Sequence, residues 1–413
     1  MMFDFATESG LYRVKSPLNY VGGKFDLLEQ FLKSNGRPAL IPENIETFVD
    51  VFCGGFNVGA NVKANKIIGI DLNEDVVNLL SWMKNLKTEE NIADIQKIIS
   101  FYELGRPKKI KESEVQLSFN QENNQNIYAE ANNLELRYRI VRSMYNQERR
   151  NKNAYVNFIS ISPLVEYIFN WNDENKNRDS LLEIGYNIKE LDISLKKIKD
   201  IRIANEIDIN QPLNGREIDL IVRVAYTTAK KTDILFNIQA MLYTIIAHGF
   251  NSHIRFGPNG YNIPYGHRTF NDSMERNFAE FSDRLKNQKA EIYNSTFEKT
   301  ETLPLTPQDY VYFDPPYLIT TAPYNESGKG WGNEDDQKLY GMIDKLNERG
   351  IRFGLSNVIE HNGETNEILA EWSKKYILHD LNYHYNSASY NLKITKEERS
   401  KKPTREVFIT NVR

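Results

Sequence analysis

Asp314, Pro315, Pro316 and Tyr317 close the apolar run Tyr310-Val311-Tyr312-Phe313. Proline lacks an N–H and fixes its own φ, so two in succession end a strand and leave a stiff, extended turn. A carboxylate and an aromatic ring held that rigidly suit a demanding substrate, the exocyclic amine of a nucleobase. Such an amine is a poor nucleophile, because its lone pair is delocalised into the ring. An acceptor pair, the Asp314 carboxylate and the Pro315 carbonyl, can hold both amine hydrogens and favour the pyramidal form that attacks, with Tyr317 stacked on the base. This is preorganisation toward charge that develops in the transition state. The plainer reading is a strand-ending aspartate followed by a turn.

Two other stretches carry residues of chemical interest. "TFVDVFCGGFNVG", from Thr47, is a short strand pattern holding Asp50 and Phe52, followed by Gly54 and Gly55. Glycines there let the backbone approach a ligand closely where a strand meets a helix. A diphosphate cofactor would more usually be served by GxGxxG, and the spacing here is "GGFNVG". Asp71 closes the next strand, "KIIGIDLN", where an acid can grip ribose hydroxyls. A tight turn and a solvated aspartate would leave the same trace. In "SPLNYVGGKFDLLEQF", Lys24 follows Gly22 and Gly23 and leads into a helix carrying Leu27, Leu28, Phe31 and Leu32. It can reach a carboxylate or lie on the surface.

Strand, glycine turn, helix, strand and acid form the pattern of a βαβ unit. The α/β signal returns with "DYVYFDPPY", the helical "DDQKLYGMIDKLNERG", and the strands "IRFGLSN" and "REVFITN". Between the two halves the composition changes. "NQENNQNIYAEANN", residues 120–133, reads as a loop or poorly ordered edge, and Leu134 to Phe270 is mostly helical with one interruption at "RFGPNGYNIPYG". The expected fold is therefore α/β, with a cofactor-binding domain in residues 1–100 and 275–413 and a second, mostly helical domain at 101–274 inserted in it.

The chain's 413 residues, 40% hydrophobic, are enough for two packed domains, and a formal charge of −4 neither demands nor excludes nucleic acid. The one cysteine, Cys53, allows neither an intrachain disulfide nor a cysteine-based zinc site. The six histidines lack ligand spacing, so no metal is expected. "MMFDFATESG" does not read as a signal peptide, and "ILFNIQAMLYTIIAHGF" is too short and too interrupted for a membrane span. A cytoplasmic protein is the expectation.

Taken in order, "PLNYVGGK", "FVDVFCGGFNVG", "GIDLN" and "YFDPPY" resemble the Dam-like adenine-N6 DNA methyltransferases, which use S-adenosylmethionine. "LSN" at 355–357 and "REVFITN" fit the same family. The resemblance implies a Rossmann-like S-adenosylmethionine-dependent core with an inserted target-recognition domain. It also implies Tyr20 and Lys24, with Gly23 beside them, near the methionine carboxylate, and Asp50, Phe52, Gly54 and Gly55 along the cofactor. Asp71 would hold the ribose hydroxyls and Phe297 the cofactor's adenine, although Thr296 stands where the family often has an aspartate. Asp314, Pro315, Pro316 and Tyr317 would receive a flipped-out adenine.

On the DNA side, "FNSHIRFGPNGYNIPYGHR", residues 250–268, resembles the hairpin with which these enzymes enter the major groove. Arg255 would pair with guanine O6 and N7. Asn251 and His253 would touch base edges or backbone, and Pro264 a thymine methyl. Basic runs that include Arg137 and Arg142, and "KITKEERSKKPTR" with Lys401, would face phosphates or simply be solvated. The implied activity is site-specific adenine-N6 methylation of double-stranded DNA, in a restriction-modification system with a cognate endonuclease encoded nearby, or as a phage or solitary methylase. The alternatives are a methyltransferase acting on RNA or protein glutamine, and a catalytically silent DNA-binding decoy. Protein-glutamine enzymes carry asparagine where this chain has Asp314.

Overall fold

A computed structural model describes residues 13–20, 22–32, 39–85, 87–105, 121–157 (backbone alone over 121–132), 159–171, 178–211, 213–319, 330–381 and 404–413. The chain divides into two compact units, Met1–Leu86 with Arg276–Arg413, and Lys87–Glu275. The helix Thr88–Phe101 thus falls in the second unit, not in the first as its sequence position suggested, because it packs against the helix Ile238–His248. Among the described residues the strands are, in chain order, β1 (Thr47–Val51), β2 (Lys66–Asp71), β3 (Tyr155–Asn157), β4 (Leu235–Asn237), β5 (Phe256–Gly257), β6 (Gly260–Tyr261), β7 (Glu291–Asn294), β8 (Tyr310–Phe313), β9 (Arg352–His361), β10 (Glu364–Thr365), β11 (Ile377–Leu381) and β12 (Arg405–Thr410). No helix among the described residues is long and apolar enough to cross a membrane.

The first unit is built on one mixed sheet of order β11-β12-β9-β8-β1-β2-β7, with β10 paired to β9. The pairs β8 with β9, β1 with β8, β1 with β2 and β2 with β7 are parallel, and β12 runs antiparallel to both β9 and β11. Strands covered on both faces read as continuous apolar runs. Accordingly Phe48, Val49, Val51 and all of Tyr310–Phe313 are buried. The helix Asn333–Glu348 presents Leu339, Met342, Ile343 and Leu346 to the sheet, the spacing of one helical face. From β1 the chain proceeds to β2 on one side, and β8 enters on the other in register, Val51 opposite Phe313. Ligand crevices of open α/β sheets form outside the carboxyl ends of strands at such a reversal. Here the reversal brings the turn after β1 beside the turn after β8.

The second unit is mainly helical, with the short pairs β3-β4 and β5-β6. The Asn- and Gln-rich stretch at 120–133, expected as a loop, is instead helical from Gln121, as the opening turns of the helix Gln121–Arg150. No Gly or Pro occurs between 121 and 150, and asparagine's helix penalty is under about 1 kcal/mol per residue. The rest of the helix carries it.

One face of that helix grips the β5-β6 ribbon. The Tyr138 hydroxyl and the Arg142 guanidinium both donate to the Ile263 carbonyl, at 2.9 and 3.0 Å. Asn146 accepts from the Tyr261 amide at 2.8 Å and donates to its carbonyl at 3.0 Å, while Arg150 donates to Asn259. Residues four apart share a helix face, so the spacing explains the set. Gly260, at φ +102, admits Asn146 where a Cβ would lie 2.2 Å from its Oδ1. Asn146→Ala removes both bonds and strands buried partners. It is expected to destabilise the second unit by about 1–3 kcal/mol, read as a lowered thermal transition; an unchanged transition would show that the ribbon stands without this clamp.

Candidate active site

Beyond β1 the backbone enters the left-handed region three times in five residues, at Phe52 (φ 62), Gly54 (φ 47) and Phe56 (φ 61). For phenylalanine that conformation is strained and persists only where the surroundings fix it. Packing does so here. The Phe56 ring fills the space that Cβ atoms at Gly59 and Gly69 would occupy, and the Phe52 ring meets Phe297 at 5.7 Å and Trp331 at 5.5 Å. A Cβ at Gly54 would lie 3.0 Å from the Tyr20 ring, and one at Gly55 2.9 Å from the Leu18 carbonyl. Gly23 is equally close-packed, against the Tyr20 carbonyl and Asn57.

Two aspartates hold this turn. Asp71 Oδ2 accepts from the Gly54 amide at 2.7 Å and Oδ1 from the Asn73 amide at 2.9 Å. Burial pushes its carboxyl above the usual range against those bonds. Asp50, expected to line the cofactor, is only 2% exposed and accepts from the Gly59 amide at 2.8 Å. Desolvation raises its carboxyl well above normal. Through the Gly59 bond its Oδ2 braces the turn that follows β1.

Across the switch, Asp314 follows β8, its amide bonded to the Val51 carbonyl at 3.3 Å. Its side chain is 18% exposed, and Oδ2 lies 2.9 Å from the Lys24 ammonium. Lys24 is 6% exposed, donates to the Gly22 carbonyl at 2.7 Å and stands 5.0 Å from the centre of the Tyr317 ring. The Tyr317 hydroxyl donates to Glu406 Oε1 at 2.8 Å and approaches Asp314 Oδ1 at 3.1 Å. Glu406, 3% exposed on β12, lies 3.8 Å from the same ammonium. Desolvation raises the Asp314 carboxyl above its usual range, Lys24 pulls it down, and Glu406 adds to the rise.

The structure thus gathers Tyr20, Gly23, Lys24, Phe52, Gly54, Gly55, Asp71, Phe297, Asp314 and Tyr317 in one unit, at the carboxyl ends of β1, β2 and β8. Two participants escaped the sequence reading. Glu406 is a charged residue directly before the apolar, buried Val407–Ile409 of β12, which was its visible signal. Trp331, whose indole donates to Asp336 at 2.7 Å, had none.

The DNA-facing expectations fall in the second unit, apart from Lys401, which lies outside the described residues. A β-ribbon does form at 256–261, and Arg255 donates to Asn262 at 2.7 Å. Pro264 is exposed, and Asn251 and His253 are half-buried. Arg137 and Arg142 do not match their expected place. Arg137 is 7% exposed and bonded to Glu103, Asn133 and Ser162, and Arg142 is engaged with Ile263. Their guanidinium groups are engaged with the interior and the ribbon.

A mainly parallel α/β sheet with a glycine turn, an acid on the second strand and an acid-aromatic corner at the switch point is compatible with a Rossmann-like methyltransferase. The family can be stated. The D12 class N6 adenine-specific DNA methyltransferase model matches residues 20–169 and 186–391, and the chain belongs to that family. It is 31% identical over 404 residues to type II methyltransferase M.FokI of Planomicrobium okeanokoites, covering 96% of this chain and 43% of that protein. It is also 28% identical over 408 residues to modification methylase StsI of Streptococcus sanguinis, and 25% over 402 residues to modification methylase LlaI of Lactococcus lactis subsp. lactis. In both, coverage is again 96% of this chain and 43% of the relative. The chain spans less than half the length of these relatives.

The Asp314 geometry makes a titration prediction. Followed by carbon-13 NMR of its carboxyl, Asp314 should titrate above the ordinary value of about 4, and Lys24→Met should move it higher still, since the ammonium favours the ionised form. A titration unchanged or lowered in Lys24→Met would contradict the pairing. With the folded-state value raised above the unfolded one, this group's contribution lowers stability as pH rises through the interval between them.

Proposed function

We propose that this chain methylates adenine N6 in double-stranded DNA at a specific sequence, using S-adenosylmethionine, as the cytoplasmic modification component of a restriction-modification system whose endonuclease is encoded nearby. The observation that carries the reading is Asp314. Fixed by Pro315 and Pro316 at the end of β8, it already holds a nitrogen donor at 2.9 Å, the contact an adenine amine would need.

The cofactor half fits the group that the family generally uses. Asp71 suits a ribose diol, the close-packed Gly54 and Gly55 allow backbone approach, and Phe52, Phe297 and Trp331 offer an apolar wall for an adenine ring. Thr296 would give that ring a hydroxyl where the family often supplies a carboxylate. Tyr20, Gly23 and Lys24 would lie near the methionine carboxylate, as the family resemblance implies. When bound, S-adenosylmethionine supplies an electrophilic methyl on a sulfonium.

A base inside a duplex is out of reach and must be flipped out. Asp314 and the Pro315 carbonyl would then accept the two N6 hydrogens, and the carboxylate would stabilise the positive charge that nitrogen acquires as its lone pair forms the N–C bond. The product cation is acidic and loses its proton afterwards, so positioning outweighs a general base. Tyr317, 7% exposed, would stack on the base.

The second unit would read DNA through the β5-β6 ribbon, with Arg255, oriented by Asn262, on guanine, Asn251 and His253 on base edges or backbone, and Pro264 on a thymine methyl. With labelled cofactor and duplex DNA, label should appear on adenine N6; label on cytosine alone would defeat the proposal. Asp314→Ala should reduce turnover by at least about a thousandfold with DNA affinity kept. Arg255→Ala should cost about 1–3 kcal/mol of discrimination at one base pair, measured by competition between site variants; an equal loss on every sequence would mean a phosphate contact.

A further inference from the structure

We infer that Glu406 is a positioning residue that receives the Lys24 ammonium when the target amine displaces it from Asp314, so that Asp314 meets its substrate unpaired. The inference rests on the proposed reaction. In the structure one ammonium serves two carboxylates, bound to Asp314 at 2.9 Å and standing 3.8 Å from Glu406. Lys24 and Glu406 are 6% and 3% exposed, so solvent cannot stand in for either partner. A lysine driven off Asp314 without a second carboxylate close beside it would leave a buried charge poorly paired, which is costly. Glu406 removes that cost within a movement of about an ångström, small beside the reach of a four-carbon side chain.

The charges balance along the reaction. Before the base enters, the Lys24 ammonium faces both Asp314 and Glu406. As the C–S bond breaks with its electron pair left on sulfur and the N–C bond forms, N6 becomes a cation facing Asp314, while the Lys24 ammonium faces Glu406. The Tyr317 hydroxyl, donating to Glu406 at 2.8 Å, ties the ring that would stack on the base to the same carboxylate.

Glu406→Gln keeps an acceptor for Tyr317 and removes only the charge. It should lower kcat by at least about tenfold, leave S-adenosylmethionine affinity by calorimetry within about threefold of wild type, and be nearly recovered by Glu406→Asp. The decisive comparison is made in Lys24→Met, which has no ammonium to house. There Glu406→Gln should change kcat by less than about twofold. Equal fractional losses in both backgrounds, a fall in cofactor affinity, or a loss in Glu406→Asp as large as in Glu406→Gln would overturn the inference. If Glu406→Gln melts well below the wild type, Glu406→Met takes its place in the same cycle. Label on wild-type adenine N6 tests the reaction itself, so a failed inference with intact wild-type activity is distinct from a failed reaction.

Discussion

One buried ammonium facing two carboxylates, buried Glu406 and half-buried Asp314, is the interaction on which the corner after β8 depends. Lys24, Asp314 and Glu406 arrive from three distant parts of the sequence, and none could be taken from water alone. An isolated charge in a protein interior is expensive, and removing one partner of a buried pair costs more than the pair is worth. Lys24, the turn after β8 and strand β12 are therefore held together by electrostatics. Asp314 stays ionisable because Lys24 opposes its desolvation.

The sheet makes that meeting possible. Parallel register between β1 and β8 brings Val51 opposite Phe313, so that the strained Phe52–Phe56 turn and the proline turn end at one level. Antiparallel β12, paired to β9 through Val407 and Asn357, delivers Glu406 near its beginning at the same edge. Strain at Phe52 and Phe56 is balanced by aromatic packing and by the carboxylates of Asp50 and Asp71. A turn with so much of its polar backbone already satisfied is preorganised, which is what the proposed transfer to a weak nucleophile would require.

Much of this was legible because the relevant signals are local. Two prolines after an apolar run mark the end of a buried strand wherever they occur, and the strand-glycine-strand-acid order of residues 47–71 encodes its own geometry. What was not legible depends on faces. The basic run after residue 134 showed charge without direction, and only the helix face shared by Tyr138, Arg142, Asn146 and Arg150 reveals that Arg142 braces the ribbon. Arg137 points elsewhere, to Glu103. The Asn- and Gln-rich stretch read as a loop because composition was weighed over the absence of any helix breaker. Trp331 and Glu406 lie far from the motifs they join, and the ion pair of Lys24 with Asp314 spans 290 residues of sequence.

The most direct test is a crystal structure of the protein with S-adenosylhomocysteine and duplex DNA carrying its methylation site. The account predicts an extrahelical adenine whose N6 lies within about 3 Å of Asp314 Oδ and the Pro315 carbonyl, with the Lys24 ammonium moved to Glu406. An adenine bound elsewhere, or Lys24 still paired to Asp314 beneath a seated base, would contradict it.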